Sequence, residues 1–188
     1  MKEIEKDYFE EEIKKISIDE FVLEVLDGKR NFKKIELHGN LNRHKSKLQA
    51  YLRDQYLEKN RFDFSESKLC IKVKYLWLPY IIASDTDFDG SEFVSIDFWR
   101  GIFSRANFRG ANLKHTNFVE CSLGDVNFQE ANLYCTDFLM ANLTRADLRN
   151  AKNFNYANFK DAIFCETKIT KQQKSFFSKY GIQKFVIR

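Results

Sequence analysis

From Phe88 onward a large apolar residue returns at every fifth position: Phe93, Phe98, Phe103, Phe108, Leu113, Phe118, Leu123, Phe128, Leu133, Phe138, Leu143 and Leu148. One extra residue enters around Lys152, and the beat resumes at Phe154, Phe159, Phe164 and Ile169. A helix repeats every 3.6 residues and a strand every two, so neither produces this pattern. A short fixed period held over so many copies is the mark of a solenoid, in which each unit buries its apolar face only by stacking on its neighbours.

Two places before each apolar centre sits a small residue, as at Thr86, Ser91, Gly101, Ala106, Ala111, Thr116, Cys121 and Ala131, and just before the centre sits Asp or Asn, as at Asp87, Asp97, Asn107, Asn117 and Asn127. Residues two apart point the same way in extended chain, so the small and large residues face inward and the Asp or Asn faces out. The next two residues turn a corner, where a short Asx side chain can bond nearby backbone. Segments such as Ala106-Asn107-Phe108-Arg109-Gly110 and Ala111-Asn112-Leu113 resemble the pentapeptide-repeat family. The resemblance implies an all-β solenoid: a right-handed quadrilateral β-helix with one pentapeptide per side and four sides per coil. The insertion at Lys152 predicts a local bulge on one side.

The ends and one insertion break the repeat. Residues 3–15 are charged and read as helical or frayed, and Ser17 with Glu20 forms a capping box ahead of Phe21-Val22-Leu23, so the pattern predicts a helix over 18–27 inside an N-terminal cap, 1–30. The β-helix is expected over 31–170, degenerate over 31–85 and regular over 86–170. Asn31 to Leu37 reads as its first side. Leu48, Tyr51, Leu52, Gln55, Tyr56 and Lys59 fall at helical spacing, which predicts an inserted helix over 46–59. Counting back from Phe88 makes Ala83, Leu78 and Val73 inward centres and turns Tyr75, Trp77 and Tyr80 outward. Thr170 with Gln173 predicts a closing helix over 171–180 within a C-terminal cap, 171–188, and Ile182–Ile187 a last strand that either joins the coil or pairs with a second chain, giving a homodimer through the C-terminal end.

Residues one coil apart stack about 4.8 Å from each other. Arg105, Asp125, Arg145 and Glu166 then form an alternating charge ladder. Pro79, Trp99, Val119 and Leu139, with Met140 beside them and Lys160 at the end, form an outward apolar column that must be covered by the inserted helix or by a partner. Trp99, Val119, Leu139 and Met140 are the candidate interaction face.

Charge is segregated along the chain. Residues 1–27 hold ten acids against four lysines, and 28–74 hold thirteen basic residues against five acids, while 86–170 are near balance with eleven acids and nine bases. Arg43, Lys45, Lys47, Arg53, Lys59 and Arg61 form a candidate basic patch near Tyr51 and Tyr56, compatible with backbone contacts and stacking on nucleic acid but carrying no recognised binding motif. The chain has no HExxH, GxSxG, Walker A or GxGxxG signature and no acid/base pair, so the sequence predicts no catalytic residues, no cofactor and no enzyme. His115 and Cys135 stack one coil apart, too few ligands for zinc, so no metal is expected. Four cysteines without CxxC spacing point to a reducing, cytoplasmic setting, and the most apolar run, Tyr75 to Ala83, is too short to span a membrane. The reading that follows is a non-catalytic protein-binding scaffold. Some members of the family that the repeats resemble mimic DNA and act on gyrase, but that needs a dominantly acidic surface, which Arg100, Arg105, Arg109, Lys114, Arg145 and Arg149 interrupt.

Overall fold

The computed structural model describes residues 13–53, 59, 61–178 and, for the backbone alone, 185–187. The readings made for 3–12, for the 54–58 part of the inserted helix and for 179–184 lie outside the described residues.

Between Trp77 and Lys152 every backbone bridge joins residues twenty apart in parallel register, on four sides spaced five residues from one another: Trp77↔Asp97, Ile82↔Ile102, Asp87↔Asn107 and Glu92↔Asn112. We number the sides first to fourth in that order. After Lys152 the spacing becomes 21, as in Asp137↔Asn158 and Asn142↔Ile163. The extra residue is absorbed where Asn153 takes a left-handed conformation and Phe154–Tyr156 form a 3-10 turn, so the expected bulge is a turn at one corner.

The five-residue rhythm has a local cause. Each side ends in a four-residue turn, in which Gly101 N, for example, donates to Phe98 O at 2.8 Å. The third residue of that turn lies at positive φ, 65° at Gly90 and Gly110 and 54–61° at non-glycine corners such as Arg100, Met140 and Arg145. That conformation costs a residue bearing a Cβ about 1–2 kcal/mol. An Asx acceptor offsets it: Asn107, Asn117 and Asp137 each take the N–H of the residue two places on, at 3.1, 2.8 and 2.9 Å.

Inside, the Phe and Leu centres from Phe88 to Leu148 are closed off from solvent, and rings stack along the axis, as in Phe108–Phe128 and Phe118–Phe138 at 5.5 Å. The small inward column does more than save space. Thr86, Thr136 and Thr167 donate their hydroxyls to Phe64 O, Leu113 O and Leu143 O of the preceding coil, at 2.7–2.8 Å, and the Cys121 thiol does the same to Phe98 O. Burial pushes that thiol's pKa up, so it stays a protonated donor. Gly101 is not interchangeable with the alanines of its column, because a Cβ there would stand 2.5 Å from the Phe103 ring and 2.9 Å from Phe98 O.

The third side is the spine. Its ladder runs from β1 (Lys14–Ile16) through β2 (Ile35–Asn40) and β3 (Lys68–Lys74) to Asp87, continues to β5 (Thr167–Ile169) and ends on β6 (Phe185–Ile187). The short β4 (Glu92–Val94) extends β3 on the fourth side. Lys14–Ile16 is thus a strand, which corrects the helical or frayed reading for those residues: pairing with β2 outweighs a local composition that favours neither state.

Helix α1 (Ile18–Leu26) closes the N-terminal end by laying Phe21 on Phe32 and Phe64, with ring centroids 4.9 and 5.8 Å apart. Ser17 Oγ accepts from Glu20 N, but the Glu20 carboxylate goes to Lys14, so only half of the capping box forms. Helix α2 (Lys45–Arg53), entered through a 3-10 turn at Leu41–His44, buries Leu48 and Leu52. It is docked on the coil: Trp77 N donates to Gln49 Oε1 and Lys74 N to Asn42 Oδ1, each at 2.9 Å. Around these irregular coils the packing leaves an apolar cavity of about 40 Å³, lined by residues such as Val25, Leu48, Val73 and Leu78. Leu78 is only half-buried and Pro79 is buried, which inverts their expected roles at the corner where Tyr80 leans on Trp99.

Helix α3 (Lys171–Ser178) closes the other end. Its capping box is complete, since Gln173 N donates to Thr170 Oγ1 and Thr170 N to Gln173 Oε1, and the Gln173 amide also donates to Leu148 O. Phe177 is fully buried against Phe154, Phe159 and Phe164.

Candidate interaction face

The four sides differ in what they show to solvent. The first, third and fourth carry Asp, Asn, Glu or Lys at nearly every outward position from Asp87 on. The second carries Ile82, Ile102, Ser122, Asn142 and Ile163, with Ile163 55% exposed. It follows directly on the corner that holds Trp99, Val119 and Leu139, all half-buried, and Met140, 54% exposed. On its other flank lie Ser84, Ser104, Gly124 and Thr144, uncharged and half-buried. The result is a flat, uncharged strip roughly 19 Å long from Ile82 to Ile163, four coil steps of about 4.8 Å.

Charge returns only at the edges, and from Asp85 to Arg145 it is paired along the axis. On one edge Arg100 holds Glu120 at 2.7 Å while its guanidinium lies 4.5 Å from the Trp99 ring. On the other, Arg105 grips Asp85 and Arg145 grips Asp125, each through two hydrogen bonds of 2.6–2.7 Å. Arg105 and Arg145 each reach back one coil and Arg100 reaches forward one, so the expected ladder of Arg105, Asp125, Arg145 and Glu166 resolves into separate pairs. Such exposed pairs contribute about 0.2–1 kcal/mol each and leave the strip electrically quiet.

Neighbouring sides are tuned differently. At Asp147 burial alone would raise the carboxyl pKa, but the Arg149 guanidinium, the Gln129 amide and the Arg149 N–H together hold it below the ordinary carboxylate value. Its contribution is therefore present above that ordinary value and is lost as pH falls through the depressed one. Asp97, on the first side, goes the other way, because burial outweighs its bonds from Trp99 N and Asn117 Nδ2 and raises its pKa. The folded chain then takes the proton more readily than the unfolded one. The charge weakens the fold at neutral pH, and that cost disappears as pH falls through the raised folded value and below the unfolded one. Asp97→Asn keeps the acceptor, as Asn117 does one coil on, and is expected to raise stability by about 0.5–1 kcal/mol near pH 7 and to match wild type near pH 3. Thermal unfolding at the two pH values checks this.

The structure does not bring the six residues of the basic patch together. Arg43 is bound to Asp19 at 2.7 Å, and Arg61 lies 5.8 Å from the Tyr80 ring. Lys47 points toward α1, beside Leu23 and Glu24, and Lys59 stands in an exposed turn. Only Lys45 and Arg53 share a surface. The reason is helical: residues 45, 49 and 53 fall on one face, and 47 lies about 200° around from 45. The 45–53 part of the inserted helix docks on the first side at Trp77 and borders the corner at Tyr75, so of the two covers expected for the apolar column, the inserted helix or a partner, this part of the helix is not one. His115 sits edge-on to the Tyr134 ring, and among the described residues no group of three His, Cys, Asp or Glu side chains is placed to hold a metal.

Sequence reasoning found the column but missed the strip beside it. Its signal was present, because positions 82, 102, 122 and 163 break the Asx rule with Ile, Ile, Ser and Ile.

A family model described as pentapeptide repeats matches in eight copies over residues 84–125, 111–150 and 140–171. Among solved structures, a pentapeptide repeat protein of the Arabidopsis thaliana thylakoid lumen is 23% identical, covering 63% of this chain and 72% of that one at a TM-score of 0.48. Rfr23, a pentapeptide repeat protein from the cyanobacterium Cyanothece 51142, is 18% identical and covers 78% and 96% at 0.39. Trypsin-treated QnrB1, a plasmid-mediated fluoroquinolone resistance protein, is 11% identical and covers 81% and 88% at 0.41. No curated protein matches the chain.

Proposed function

Since residues 84–171 belong to the pentapeptide-repeat family, we propose that this chain is a non-catalytic scaffold that holds a protein partner against its second side. The observation that carries the reading is the uncharged strip with Trp99, Val119, Leu139 and Met140 at its margin, which no described element covers. Apolar side chains left partly open to solvent in successive coils, on a face without charge, are the kind of surface that binds a partner. The regular coils are read as a right-handed quadrilateral β-helix, the hand that parallel crossover connections adopt almost without exception. The caps at 1–30 and 171–188 and the degenerate coils at 31–85 are read as units that close it. A homodimer through the C-terminal end has less support, because β6 already pairs with β5 of its own chain.

Two other readings are weaker. A DNA mimic acting on gyrase needs a dominantly acidic surface, yet residues 86–170 set nine bases against eleven acids, with all five arginines resting on carboxylates. A nucleic-acid binder needs a cationic track, and the six basic residues are dispersed. The three exposed thiols, Cys70, Cys135 and Cys165, support a reducing, cytoplasmic setting. The double variant Trp99→Glu/Leu139→Glu tests the main reading: it changes half-buried outward side chains, should fold, and should lose the partner.

A further inference from the structure

We propose that the groove between α2 and Tyr75 binds a short acidic segment of polypeptide. This site is separate from the uncharged strip and stands whatever that strip binds.

Lys45, Gln49 and Arg53 line the outer face of α2, and two adjoining grooves beside it share Gln49, Arg53 and Tyr75, with Trp77 in one of them. Tyr75 is 62% exposed, and Lys45 Nζ lies 5.0 Å from its ring centroid. Lys74, exposed, precedes it in the chain. Among the described residues Lys45, Arg53 and Lys74 have no carboxylate partner, in contrast to the neutralised arginines of the coils. The wall is held rigidly, because Gln49 and Asn42 each accept a backbone N–H of the coil and Leu48 and Leu52 are buried beneath. Unpaired cations around an exposed aromatic ring select a short anionic chain whose side-chain methylenes can lie on that ring.

The length of the site chooses the occupant. From residue 45 to residue 53 the helix rises about 12 Å, the reach of about four extended residues. A nucleic-acid backbone needs a longer track of cations, and further along the first side it would meet Asp97 and Asp137. Four to six residues rich in Asp and Glu fit the three cations and end before those carboxylates.

Fluorescence anisotropy with the full chain tests the proposal, using a labelled hexapeptide of alternating Asp and Glu and, separately, a ten-nucleotide oligo(dT). The hexapeptide should bind, and binding should weaken steadily as salt rises from about 50 to about 500 mM. Lys45→Glu/Arg53→Glu should reduce its affinity about tenfold or more, and Tyr75→Ala about threefold, while Lys152→Glu at the far end stays within about twofold. Circular dichroism of each variant separates lost binding from lost fold, and Lys45→Gln/Arg53→Gln repeats the test if charge reversal unfolds the chain. No binding to wild type, equal binding to the double variant, or tighter binding of oligo(dT) than of the hexapeptide would each overturn the proposal.

Discussion

Phe118→Ala is expected to cost about 3–5 kcal/mol, nearly half the stability of an ordinary domain. The ring is fully buried, lies parallel to Phe138 at 5.5 Å, and also meets Phe98, Phe103, Phe108 and Phe128 within about 6 Å. Those neighbours are carried by coils whose spacing is set by backbone ladders, so they cannot move in to fill the space, and the cavity term stays near its full value. Phe118→Leu should cost only about 1 kcal/mol, because Leu113, Leu123 and Leu133 fill the equivalent buried centre on the neighbouring sides. Urea unfolding of the two variants beside wild type gives both numbers, and equal costs would show that ring packing is not what holds the coils together.

Phe177→Ala should cost a similar 3–5 kcal/mol but through a different route. Phe177 touches Phe154, Phe159 and Phe164, and with Gln173 it is the part of α3 that seals the last coil. Each coil is stabilised mainly by its neighbours, so losing a cap weakens the array from that end inward. Native-state hydrogen exchange should therefore show protection lost first over residues 148–169 in Phe177→Ala, with residues 88–118 keeping theirs. In Phe118→Ala the loss should spread over the central coils. Uniform loss in both variants would mean that the chain unfolds as a single unit and that the cap has no local role.

Much of this architecture was legible in the sequence, because a solenoid repeats one local decision. The period of five gave the side, and the Asx before each centre gave the corner. The single added residue after Lys152 gave the shift from 20 to 21 in the ladder. What stayed hidden depends on distances between coils. That Thr136 donates to Leu113 O, 23 residues back, follows only once the coil is closed. The strand at Lys14–Ile16 exists because β2 offers it an edge, and nothing in Lys-Lys-Ile announces it. The basic residues at 43–61 looked like one patch because they are close in sequence, but helical geometry and the pull of Asp19 on Arg43 scatter them. The strip on the second side is readable in principle, as a column of missing Asx residues, but that signal shows only once positions twenty apart are aligned on one side.

The measurement that bears most directly on the scaffold reading is affinity capture from native lysate of the source organism, comparing wild type with Trp99→Glu/Leu139→Glu and with Lys152→Glu as a surface control. All three proteins should first show the same circular dichroism and unfolding midpoint. A partner retained by wild type and by Lys152→Glu, and lost from the double variant, is the expected result. An identical set of partners on all three would contradict the account, because the uncharged strip would then be no binding face.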